Sequence, residues 1–497
     1  MATAVTEAPP QKSLRLTEAT EDLSERRLTV QLKNENGEEL GGPLELPLSV
    51  GLAQLEQLTN SLLELEEPLP CAFFTAGAQI RGSLAQALGE WPVKGENVVE
   101  IEYRPEAVFR VLAVTRCTSS LPGHGEAVIS AQFSPDGRAL ASGSGDTTVR
   151  LWDLSTELPL KTCEGHQNWV LALAWSPDAR FLVSADKAGI VRLWDGETGE
   201  AIGGPLRGHK NWVSCLVWQP YHLNSDCARF ASSSKDGDVR IWDRCRGQTE
   251  RVLSGHTRAV TWLRWGGDDL IYSASQDRSI KVWRGSDGVL CRTLSGHGHW
   301  VNTMALNTDY ALRIGPFQPR LLQEGKGAIA DTPTEELVKG AQERWAAAKG
   351  AGEELLCSGS DDFSLFLWSP SSGKKPLARM TGHQQLVNQV AFSPDGRWLC
   401  SASFDKSVKL WCGRSGKFLA TFRGHVQAVY QIAFSADSRL LVSGSADSTL
   451  KVWSLAKRGL SMDLPGHADE VYTVDWSPDG ARVVSGGKDR VLKLWRR

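Results

Sequence analysis

Gly-His pairs recur eight times between Gly123 and His467, and the spacing of their histidines is nearly constant. The successive intervals are 42, 43, 47, 41, 86, 42 and 42 residues, so only one interval departs strongly from the rest. In five of the eight repeats a tryptophan lies 28 positions after the histidine. The histidines are His124, His166, His209, His256, His297, His383, His425 and His467. The tryptophans are Trp152, Trp194, Trp242, Trp283, Trp368, Trp411, Trp453 and Trp495. A repeat of this length predicts one supersecondary unit that is copied and contacts its neighbouring copies.

The composition favours repeats made of β-strands. The chain has 48 Gly and 19 Trp but only 4 Met, which is typical of turn-rich β-structure rather than of helical bundles. Gly-His near the start and Trp-Asp near the end of a repeat resemble the WD40 family of β-propellers, in which each repeat forms a four-stranded blade. The resemblance covers roughly residues 108–497 and implies a propeller of eight blades.

The resemblance also implies a role for the repeated polar residues. In WD40 blades the buried Trp, a Ser or Thr, the Gly-His histidine and an Asp in a tight turn form one hydrogen-bonded set. Without it the buried indole N–H would be unsatisfied, at a cost of about 1–3 kcal/mol. The expected structural braces include His124, Asp146, Trp152, His383, Asp405, Trp411, His425, Asp447, Trp453, His467, Asp489 and Trp495. The second repeat has Ala188 at the Asp position, so we expect its network to be incomplete and its blade to be the least rigid.

Recurring His, Ser and Asp could also suggest a hydrolase triad. Eight copies argue against this, because catalysis needs one site whereas a repeated architecture needs one brace per blade. Only His222 and His299 lie outside the Gly-His pairs, and neither has a neighbour set typical of metal ligands. The GxxxxGK[ST] phosphate loop is absent from the sequence. We therefore expect no enzyme, no catalytic residue and no cofactor of its own.

The ends of the repeat region predict how the ring closes. The last repeat ends at "LKLWRR", one strand short of a blade, and an open ring would leave exposed strand edges. The segment from Val108 to Cys117 can supply the missing outer strand by pairing with the strand from Val491 to Trp495. The propeller would then be closed by the residues that directly follow the N-terminal module.

The fifth repeat contains a long insertion, at about residues 307–352. Trp368 lies 71 positions after His297, and "DTPTEELVKGAQERWAAAKG" predicts a helix within the added residues. Thr332 is the expected N-cap, with Pro333 at the first helical position, Glu335 completing a capping box and Gly350 as the stop. Such an insertion is either a binding element or an idle loop, and the capped helix favours binding.

The first hundred residues predict a different fold. Residues 1–26 are polar and lack periodicity, which predicts a disordered tail. Residues 27–103 read as a hairpin, a helix with an apolar stripe from Leu52 to Leu63, short strands and a closing strand "NVVEIEY". This order predicts a small ubiquitin-like β-grasp domain of the α+β type. The whole chain is thus expected to be all-β in class, with an eight-bladed propeller over residues 104–497 after that domain.

The two modules differ in charge. Residues 1–103 carry 17 Asp and Glu against 7 Lys and Arg, whereas residues 104–497 carry 41 acidic and 48 basic residues. Each surface could simply be solvated. Alternatively, the acidic module binds a cationic or metal-bearing partner, and the basic one tolerates nucleic acid.

Other features indicate the compartment. The 10 cysteines are scattered singly without metal-site spacing, which is typical of reduced thiols in the cytosol or nucleus. Apolar runs stay well short of the roughly 20 residues that span a bilayer, and the N-terminal residues lack a signal-peptide pattern. We expect a soluble intracellular protein with no membrane partner.

Motifs from both modules together resemble the Notchless family of WD40 ribosome assembly factors. They are "EPLPCAFF", "YRPEAVFRVLAVTRCTSSLPGHGEAVIS" and "MTGHQQLVNQVAFSPDG", and the resemblance runs along almost the full chain. It implies a nucleolar and nucleoplasmic protein that binds precursors of the large ribosomal subunit, including their proteins, rRNA phosphates and other assembly factors. It also implies that the ubiquitin-like domain docks on the metal-ion-dependent adhesion site of midasin, an AAA+ ATPase that remodels the particle.

The same resemblance implies a docking residue. In the family it is a glutamate seven residues before the Tyr of the "YRPEAVF" stretch, which is Tyr103 here, so the matching residue is Glu96. Mg²⁺ prefers oxygen ligands in near-octahedral geometry, so Glu96 could complete the Mg²⁺ site of midasin in trans. The alternative is a solvated side chain. Glu90, Glu100 and Glu102 are competing acids, and the last two lie on the predicted strand itself.

Two other functions were compatible with parts of the sequence. WD40 proteins also serve as substrate receptors of ubiquitin ligases or as signalling scaffolds, here Notch-related, and the fold does not separate these functions. An enzyme with its site in the propeller channel would need unmatched acids or histidines at the blade tips, but the sequence has only repeat-matched ones. Any rRNA contacts should be phosphate-directed and salt-sensitive, because RRM, KH and arginine-rich signatures are absent from the sequence.

Overall fold

The computed structural model describes residues 27–34, 38–63, 71–75, 78–80, 82, 84, 98–105, 110–325, 332–350 and 352–497. The chain forms two compact units, Met1–Val108 and Phe109–Arg497. The predicted tail at residues 1–26 and Glu96 lie outside the described residues. In the part of the chain that is described, no helix is both long enough and apolar enough to cross a membrane.

The first unit is a five-stranded sheet with one helix. Its elements are β1 Arg27–Lys33, β2 Glu39–Pro47, α1 Leu52–Leu62, β3 Cys71–Thr75, β4 Ala78–Gln79 and β5 Val99–Pro105. The strand order is β2-β1-β5-β3-β4, with β5 parallel to β1 and antiparallel to β3. This topology confirms the ubiquitin-like β-grasp fold. Strand β5 continues to Pro105, beyond the boundary expected at residue 103.

Alternation along the strands builds the core of this unit. Val30, Leu32 and Ile101 are fully buried, and Leu55 of α1 packs against them in the same cluster. Because successive side chains of a strand point to opposite faces, β1 and β5 each give one apolar face to the helix. The opposite residues of β5, Glu100 and Glu102, are accordingly not buried.

The described residues of the second unit form eight sheets, which confirms the eight-bladed propeller. Blades 1 and 2 comprise β7 Val128–Phe133, β8 Ala139–Ser144, β9 Val149–Asp153 and β10 Leu158–Cys163, then β11 Val170–Trp175, β12 Phe181–Asp186 and β13 Val191–Asp195. Blades 3 and 4 comprise β14 Val213–Trp218, β15 Arg229–Ser234, β16 Asp238–Asp243 and β17 Gln248–Ser254, then β18 Val260–Trp265, β19 Leu270–Ser275, β20 Ser279–Arg284 and β21 Leu290–Ser295.

The remaining four blades follow the same order, with the first strand innermost. Blades 5 and 6 comprise β22 Val301–Leu306, β23 Leu356–Ser360, β24 Leu365–Trp368 and β25 Ala378–Met380, then β26 Val387–Phe392, β27 Trp398–Ser403, β28 Ser407–Cys412 and β29 Phe418–Arg423. Blades 7 and 8 comprise β30 Val429–Phe434, β31 Leu440–Ser445, β32 Thr449–Ser454 and β33 Gly459–Pro465, then β34 Val471–Trp476, β35 Val483–Gly487, β36 Leu492–Arg496 and β6 Arg116–Leu121.

Blade 2 has a reduced outer edge. Its sheet has three strands, and the outer segment contacts β13 only through the bridges Val191–Leu206 and Trp194–Ala201. Between these bridges lies the sequence Gly-Gly-Pro, with Gly203 at φ +72°. Proline has no N–H to donate and a left-handed glycine interrupts the extended chain, so a regular fourth strand does not form.

The ring closes through an early segment of the chain, but not the one that was predicted. The strand paired with β36 is β6, Arg116–Leu121, which shares only Arg116 and Cys117 with the expected segment from Val108 to Cys117. Val111 and Val114 are 3% and 1% exposed and pack within the cluster of the last two blades. The apolar residues that suggested a strand therefore fill a hydrophobic gap ahead of it.

The inner strands are linked to one another by polar side chains. The backbone N–H of Ala131 on β7 donates to Thr473 Oγ1 on β34 at 3.1 Å, which joins the first blade to the last. Equivalent links include Val474 N–H to Gln431 Oε1 at 2.9 Å. Buried backbone groups need such partners, because an unpaired one costs about as much as a lost hydrogen bond. The links therefore fix the spacing of the blades around the channel.

Loss of the closing strand should destabilise the propeller. A chain beginning at residue 122 lacks β6 and leaves β36 as an unpaired edge. We expect its Tm to be at least about 5 °C lower than that of a chain beginning at residue 110, and we expect it to self-associate. Thermal unfolding and size-exclusion chromatography measure both effects. Equal Tm values and two monomers would contradict the role assigned to β6.

Candidate functional site

The repeated polar residues form one hydrogen-bonded set per blade, here called the brace. In blade 1, Trp152 Nε1 donates to Ser142 Oγ at 2.9 Å, and Ser142 lies 2.8 Å from His124 Nε2. The other ring nitrogen, His124 Nδ1, lies 2.9 Å from Asp146 Oδ2. Because an ionised carboxylate can only accept, the single imidazole proton is assigned to His124 Nδ1, which donates to Asp146. His124 Nε2 is then an acceptor, and the Ser142 hydroxyl donates to it while accepting from Trp152.

The same four-residue set is present in all eight described blades. The His Nδ1 to Asp Oδ2 distances range from 2.7 to 3.1 Å. The other sets, each in the order Trp, Ser, His and Asp, are Trp194, Ser184, His166 and Asp186; Trp242, Ser232, His209 and Asp236; Trp283, Ser273, His256 and Asp277; Trp368, Ser358, His297 and Asp362; Trp411, Ser401, His383 and Asp405; Trp453, Ser443, His425 and Asp447; Trp495, Ser485, His467 and Asp489.

The expectation that blade 2 has an incomplete network is wrong. Its carboxylate comes from Asp186, two positions before Ala188, and Asp186 Oδ2 lies 2.9 Å from His166 Nδ1. Asp186 Oδ1 also accepts from the backbone N–H groups of Ala188 and Ile190, both at 2.9 Å. A carboxylate placed two residues earlier in the tight turn therefore reaches the same partner. A fixed sequence spacing does not capture this equivalence.

The brace carboxylates have lowered pKa values. Burial by itself would raise the pKa of Asp146, but hydrogen bonds from His124, from the Thr148 hydroxyl and from two backbone N–H groups lower it well below its usual value. The same direction and the same leading causes apply to Asp186, with His166 as the main donor. Each blade therefore holds an ionised carboxylate that folding stabilises.

The two histidines outside the braces have separate surroundings. His222 Nε2 donates to the carbonyl of Gly267 at 2.9 Å, its ring stacks on Trp345, and burial lowers its pKa. His299 is exposed, with Nδ1 3.3 Å from Asp361 Oδ2. Within the described ranges, no group of three or more His, Cys, Asp or Glu side chains is placed to hold a metal ion.

Of the four acidic residues considered near the closing strand of the first unit, the structure describes two, Glu100 and Glu102. Glu96 and Glu90 lie outside the described residues. Glu100 is paired with Lys33 Nζ at 2.6 Å, and Glu102 accepts from Arg104 Nε at 2.7 Å. The two acids on β5 are therefore engaged with neighbouring strand residues of their own sheet.

The insertion in the fifth repeat forms three helices in the described residues: α2 Asp309–Ile314, α3 Pro319–Gln323 and α4 Thr334–Lys349. Helix α4 begins one residue later than predicted. Pro333 occupies the N-cap position without a side-chain cap, so Thr332 is not the N-cap and its capping box with Glu335 is absent. Gly350, with φ +74°, ends the helix as expected.

Helix α2 lies at one end of the propeller channel. Arg313 forms a two-pronged ion pair with Asp475 of β34, and Arg264 Nε donates to Asp309 Oδ2 at 3.0 Å. Arg313 also donates to the carbonyl of Phe133, the last residue of β7. These contacts place α2 where the inner strands end. It closes one side of a channel cavity of about 660 Å³ that is lined by the inner strands and by Tyr310.

A buried carboxylate anchors the insertion to blades 4 and 5. Glu354 is 1% exposed, and burial raises its pKa. It accepts from Thr308 Oγ1 at 2.5 Å, from the Gly267 N–H at 3.2 Å and from Trp345 Nε1 at 3.4 Å. A buried acid needs several partners of this kind, because an unpaired one is costly. Thr308, near the start of the insertion, and Trp345, near its end, thus both donate hydrogen bonds to the Glu354 carboxylate.

The longest helix of the insertion packs across the propeller rather than extending from it. Ala341 of α4 is buried in the hydrophobic cluster of blades 2 and 3, and Leu337 and Val338 pack against it. Near its end, Lys349 Nζ lies 2.9 Å from Asp268 Oδ2. The insertion is therefore part of the folded ring. Its polar outer face, which includes Glu335, remains exposed.

Sequence families match both units. Residues 28–88 match the family described as NLE (NUC135) domain. The family described as WD domain, G-beta repeat matches residues 115–153, 157–195, 202–243, 247–284, 374–412, 416–454 and 459–496. These matches include every blade except the fifth, which the insertion divides.

Full-length relatives align with most of the chain. Protein Notchless of Drosophila melanogaster is 53% identical over 76% of this chain and 77% of its own length. The Notchless protein homolog of Arabidopsis thaliana is 54% identical over 79% and 81%. Ribosome assembly protein 4 of Saccharomyces cerevisiae is 45% identical over 78% of each chain.

A solved structure is similar in fold to most of the chain. The crystal structure of the computationally designed Ika8 protein superimposes with a TM-score of 0.60 at 27% identity. It covers 77% of this chain and all of that protein.

Removing the Asp186 carboxylate of blade 2 should destabilise the propeller as much as removing the Asp236 carboxylate of blade 3, which lies at the usual brace position. Asp186→Ala and Asp236→Ala each leave a buried His N–H without an acceptor, a loss of about 1–3 kcal/mol. We expect similar decreases in Tm by thermal unfolding. Ala188→Ser is the matched control and should change Tm little, because Ala188 is exposed and outside the brace. A larger effect for Ala188→Ser than for Asp186→Ala would refute the assignment.

The propeller should unfold cooperatively in acid. The brace carboxylates have lowered pKa values in the folded chain, so their stabilisation is complete above the unfolded-state pKa of about 3.9 and is lost as the pH falls below it. Circular dichroism and tryptophan fluorescence from pH 7 downward should show a steep transition below about pH 4. Asp405→Asn removes one titrating group and should make the transition shallower. An unchanged slope would argue against the linkage.

Proposed function

The chain belongs to the family of Notchless proteins and ribosome assembly protein 4, and from this premise we propose that it acts in the assembly of the large ribosomal subunit. Relatives at 45–54% identity align with 76–79% of the chain, and one of them carries ribosome assembly in its name. The proposed site of action is the nucleolus and nucleoplasm.

In this proposal the protein is a mechanical scaffold and not an enzyme. The propeller binds the pre-ribosomal particle through its proteins and rRNA phosphates, together with other assembly factors. The β-grasp unit offers Glu96 to the Mg²⁺ of the adhesion-site domain of midasin. ATP hydrolysis by that AAA+ partner supplies the force. The alternative of a ubiquitin-ligase receptor or Notch-related scaffold has no specific contact in the described residues to favour it.

The placement of β5 carries the proposal. Glu96 precedes β5 by three residues, and β5 is the middle strand of the sheet, hydrogen-bonded to β1 on one side and β3 on the other. Ile101 and Tyr103 anchor it in the core, at 0% and 6% exposure. Force applied at the start of this strand is distributed over the backbone hydrogen bonds to β1 and β3. The unit can therefore resist the force better than if an edge strand were pulled.

The connection to the propeller continues the same path along the chain. After β5, the next described residues attach firmly to the second unit. Val111 N–H donates to Asp437 Oδ2 at 2.7 Å, Thr115 N–H donates to the carbonyl of Arg496 at 2.8 Å, and then β6 begins. Force that arrives through residues 106–109 would therefore enter the ring at blades 7 and 8.

The chemistry of the proposed contact suits a glutamate. Mg²⁺ binds carboxylate oxygens at about 2.0–2.1 Å in near-octahedral geometry and often keeps positions for incoming ligands. Glu96 would supply one charged oxygen to a metal that the partner holds. The net acidity of residues 1–103 would favour approach to a cationic site over distances up to the Debye length.

Capture of the midasin adhesion-site domain by the full chain tests the proposal. We expect Glu96→Ala to abolish Mg²⁺-dependent capture and a chelator to do the same to the wild type. Glu96→Asp should lose most of it, because one missing methylene withdraws the oxygen by about 1.5 Å from a site intolerant of long bonds. The matched control is Glu100→Ala, which removes a nearby acid that is already paired with Lys33.

The outcomes separate the contact from general acidity. Equal losses for Glu96→Ala and Glu100→Ala would indicate bulk electrostatic attraction. Full capture by Glu96→Ala would remove this residue from the mechanism. Co-purification with large-subunit precursor RNA tests the ribosomal role independently, and recovery of ubiquitin-ligase subunits instead would support the alternative.

A further inference from the structure

Four side chains of blades 2 and 3 form an exposed row of alternating rings and cations, here called the Trp–Lys row: Trp169, Lys187, Trp212 and Lys235. The two tryptophans are 47% and 40% exposed, unusual for so large a side chain. Trp169 directly precedes β11 and Trp212 directly precedes β14. The row therefore lies where the inner strands begin, at the opposite end of the ring from α2.

The geometry of the row is regular. Lys187 Nζ lies 4.8 Å from the ring centroid of Trp169 and 4.5 Å from that of Trp212, and Lys235 Nζ lies 4.3 Å from Trp212. These are cation–π distances, each worth about 0.5–1 kcal/mol at an exposed site. The backbone N–H of Lys187 also donates to the carbonyl of Trp169 at 2.9 Å. Rings and ammonium groups are thus held in place before any partner binds.

Local hydrogen bonds fix both tryptophans in the same way. The side-chain oxygen of Asn168 accepts from the Trp169 N–H, and that of Asn211 accepts from the Trp212 N–H, both at 2.9 Å. The Trp169 ring also covers blade 1, because the two atoms shared by its fused rings lie 3.5 and 3.6 Å from the position that a Cβ at Gly145 would occupy. The row therefore extends over three neighbouring blades.

The fold does not require these rings. In every blade the residue before the inner strand accepts a backbone hydrogen bond from the turn between the second and third strands. In blades 1, 4 and 7 that residue is alanine: Ala127, Ala259 and Ala428. Those blades have complete braces, so a large aromatic at this position is dispensable for blade formation.

Within the described part of the chain, the cations of the row have no carboxylate partner. Lys187 and Lys235 form no ion pair with any residue that the structure describes, and their only mapped side-chain contacts are with the tryptophan rings. Lys488 occupies the same turn position in blade 8, but its Nζ lies 3.4 Å from Asp469 and 3.6 Å from Glu470. In blade 8 the lysine is therefore paired with carboxylates of its own blade. In blades 2 and 3 the charges of Lys187 and Lys235 are available to pair with carboxylates of a partner.

We propose that the Trp–Lys row binds an acidic peptide segment of a partner protein, in which Asp or Glu residues flank an apolar side chain. The carboxylates pair with Lys187 and Lys235, and the apolar side chain packs on the exposed ring edges. Tryptophan is enriched in binding hot spots. Single-stranded RNA fits less well, because nucleobases stack on open ring faces and here ammonium groups already cover them.

Fluorescence anisotropy with the full chain tests this proposal. The probes are a labelled dodecapeptide of Asp and Glu with one central Leu, the same peptide with Asn and Gln, and a uridine dodecamer. We expect the acidic peptide to bind more tightly than its neutral counterpart. Trp212→Ala and Lys187→Gln should each weaken that binding by about fivefold or more. Lys406→Gln, an exposed cation in the corresponding turn of blade 6, is the matched control and should leave it unchanged.

Several results would overturn the proposal. Equal binding of the acidic and neutral peptides would exclude charge recognition, and equal affinity in the wild type and both row variants would place the peptide elsewhere. Binding of the uridine dodecamer that is lost in Trp212→Ala, without binding of the acidic peptide, would make the row an RNA surface. Thermal unfolding of each variant confirms its fold, and Lys187→Gln keeps the test valid if Trp212→Ala is unstable.

Discussion

Every blade depends on one buried indole N–H reaching an acceptor. The tryptophan supplies the apolar area that holds a blade together, and the Ser, His and Asp of the brace satisfy its only polar atom. Because the histidine and the aspartate come from two different loops, the same hydrogen bonds also fix those loops against each other. The brace therefore stabilises the blade interior and keeps its surface loops in one conformation.

The two ends of the ring are consequently different. At the end where inner strands begin, short braced loops display the Trp–Lys row. At the other end, the insertion crosses the channel and is held by Arg313, Asp309 and the buried Glu354. These ion pairs are partly buried, so desolvation offsets much of their attraction, and their main effect is on the placement of the insertion. The insertion and the Trp–Lys row therefore lie at opposite ends of the ring.

The proposed load path runs along the backbone from one unit to the next. It begins before β5, the middle strand of the first unit, and reaches β6, which completes blade 8. Both strands are paired with neighbours that are distant in sequence, so force on either is distributed over a sheet. A ring closed by its own early residues gives such a path an anchor that does not unravel from the chain end.

Repeat spacing, together with the resemblance to WD40 blades, was enough to predict the blade count and the four brace aspartates Asp146, Asp405, Asp447 and Asp489, and the strand pattern predicted the β-grasp order, because these depend on residues that are close in sequence. Contacts between distant residues were not accessible in this way. In blade 2 the carboxylate comes from Asp186 and not from position 188, because the folded turn brings Asp186 beside His166. Likewise, β6 starts later than expected because Val111 and Val114 pack on other blades. The insertion's position across the channel and the row of rings and cations arise only when residues from separate blades meet. The residues of one repeat thus determine the structure of its blade. Ring closure brings residues such as Arg313 and Asp475, which are 162 positions apart, into contact, and it thereby determines the surfaces that several blades form together.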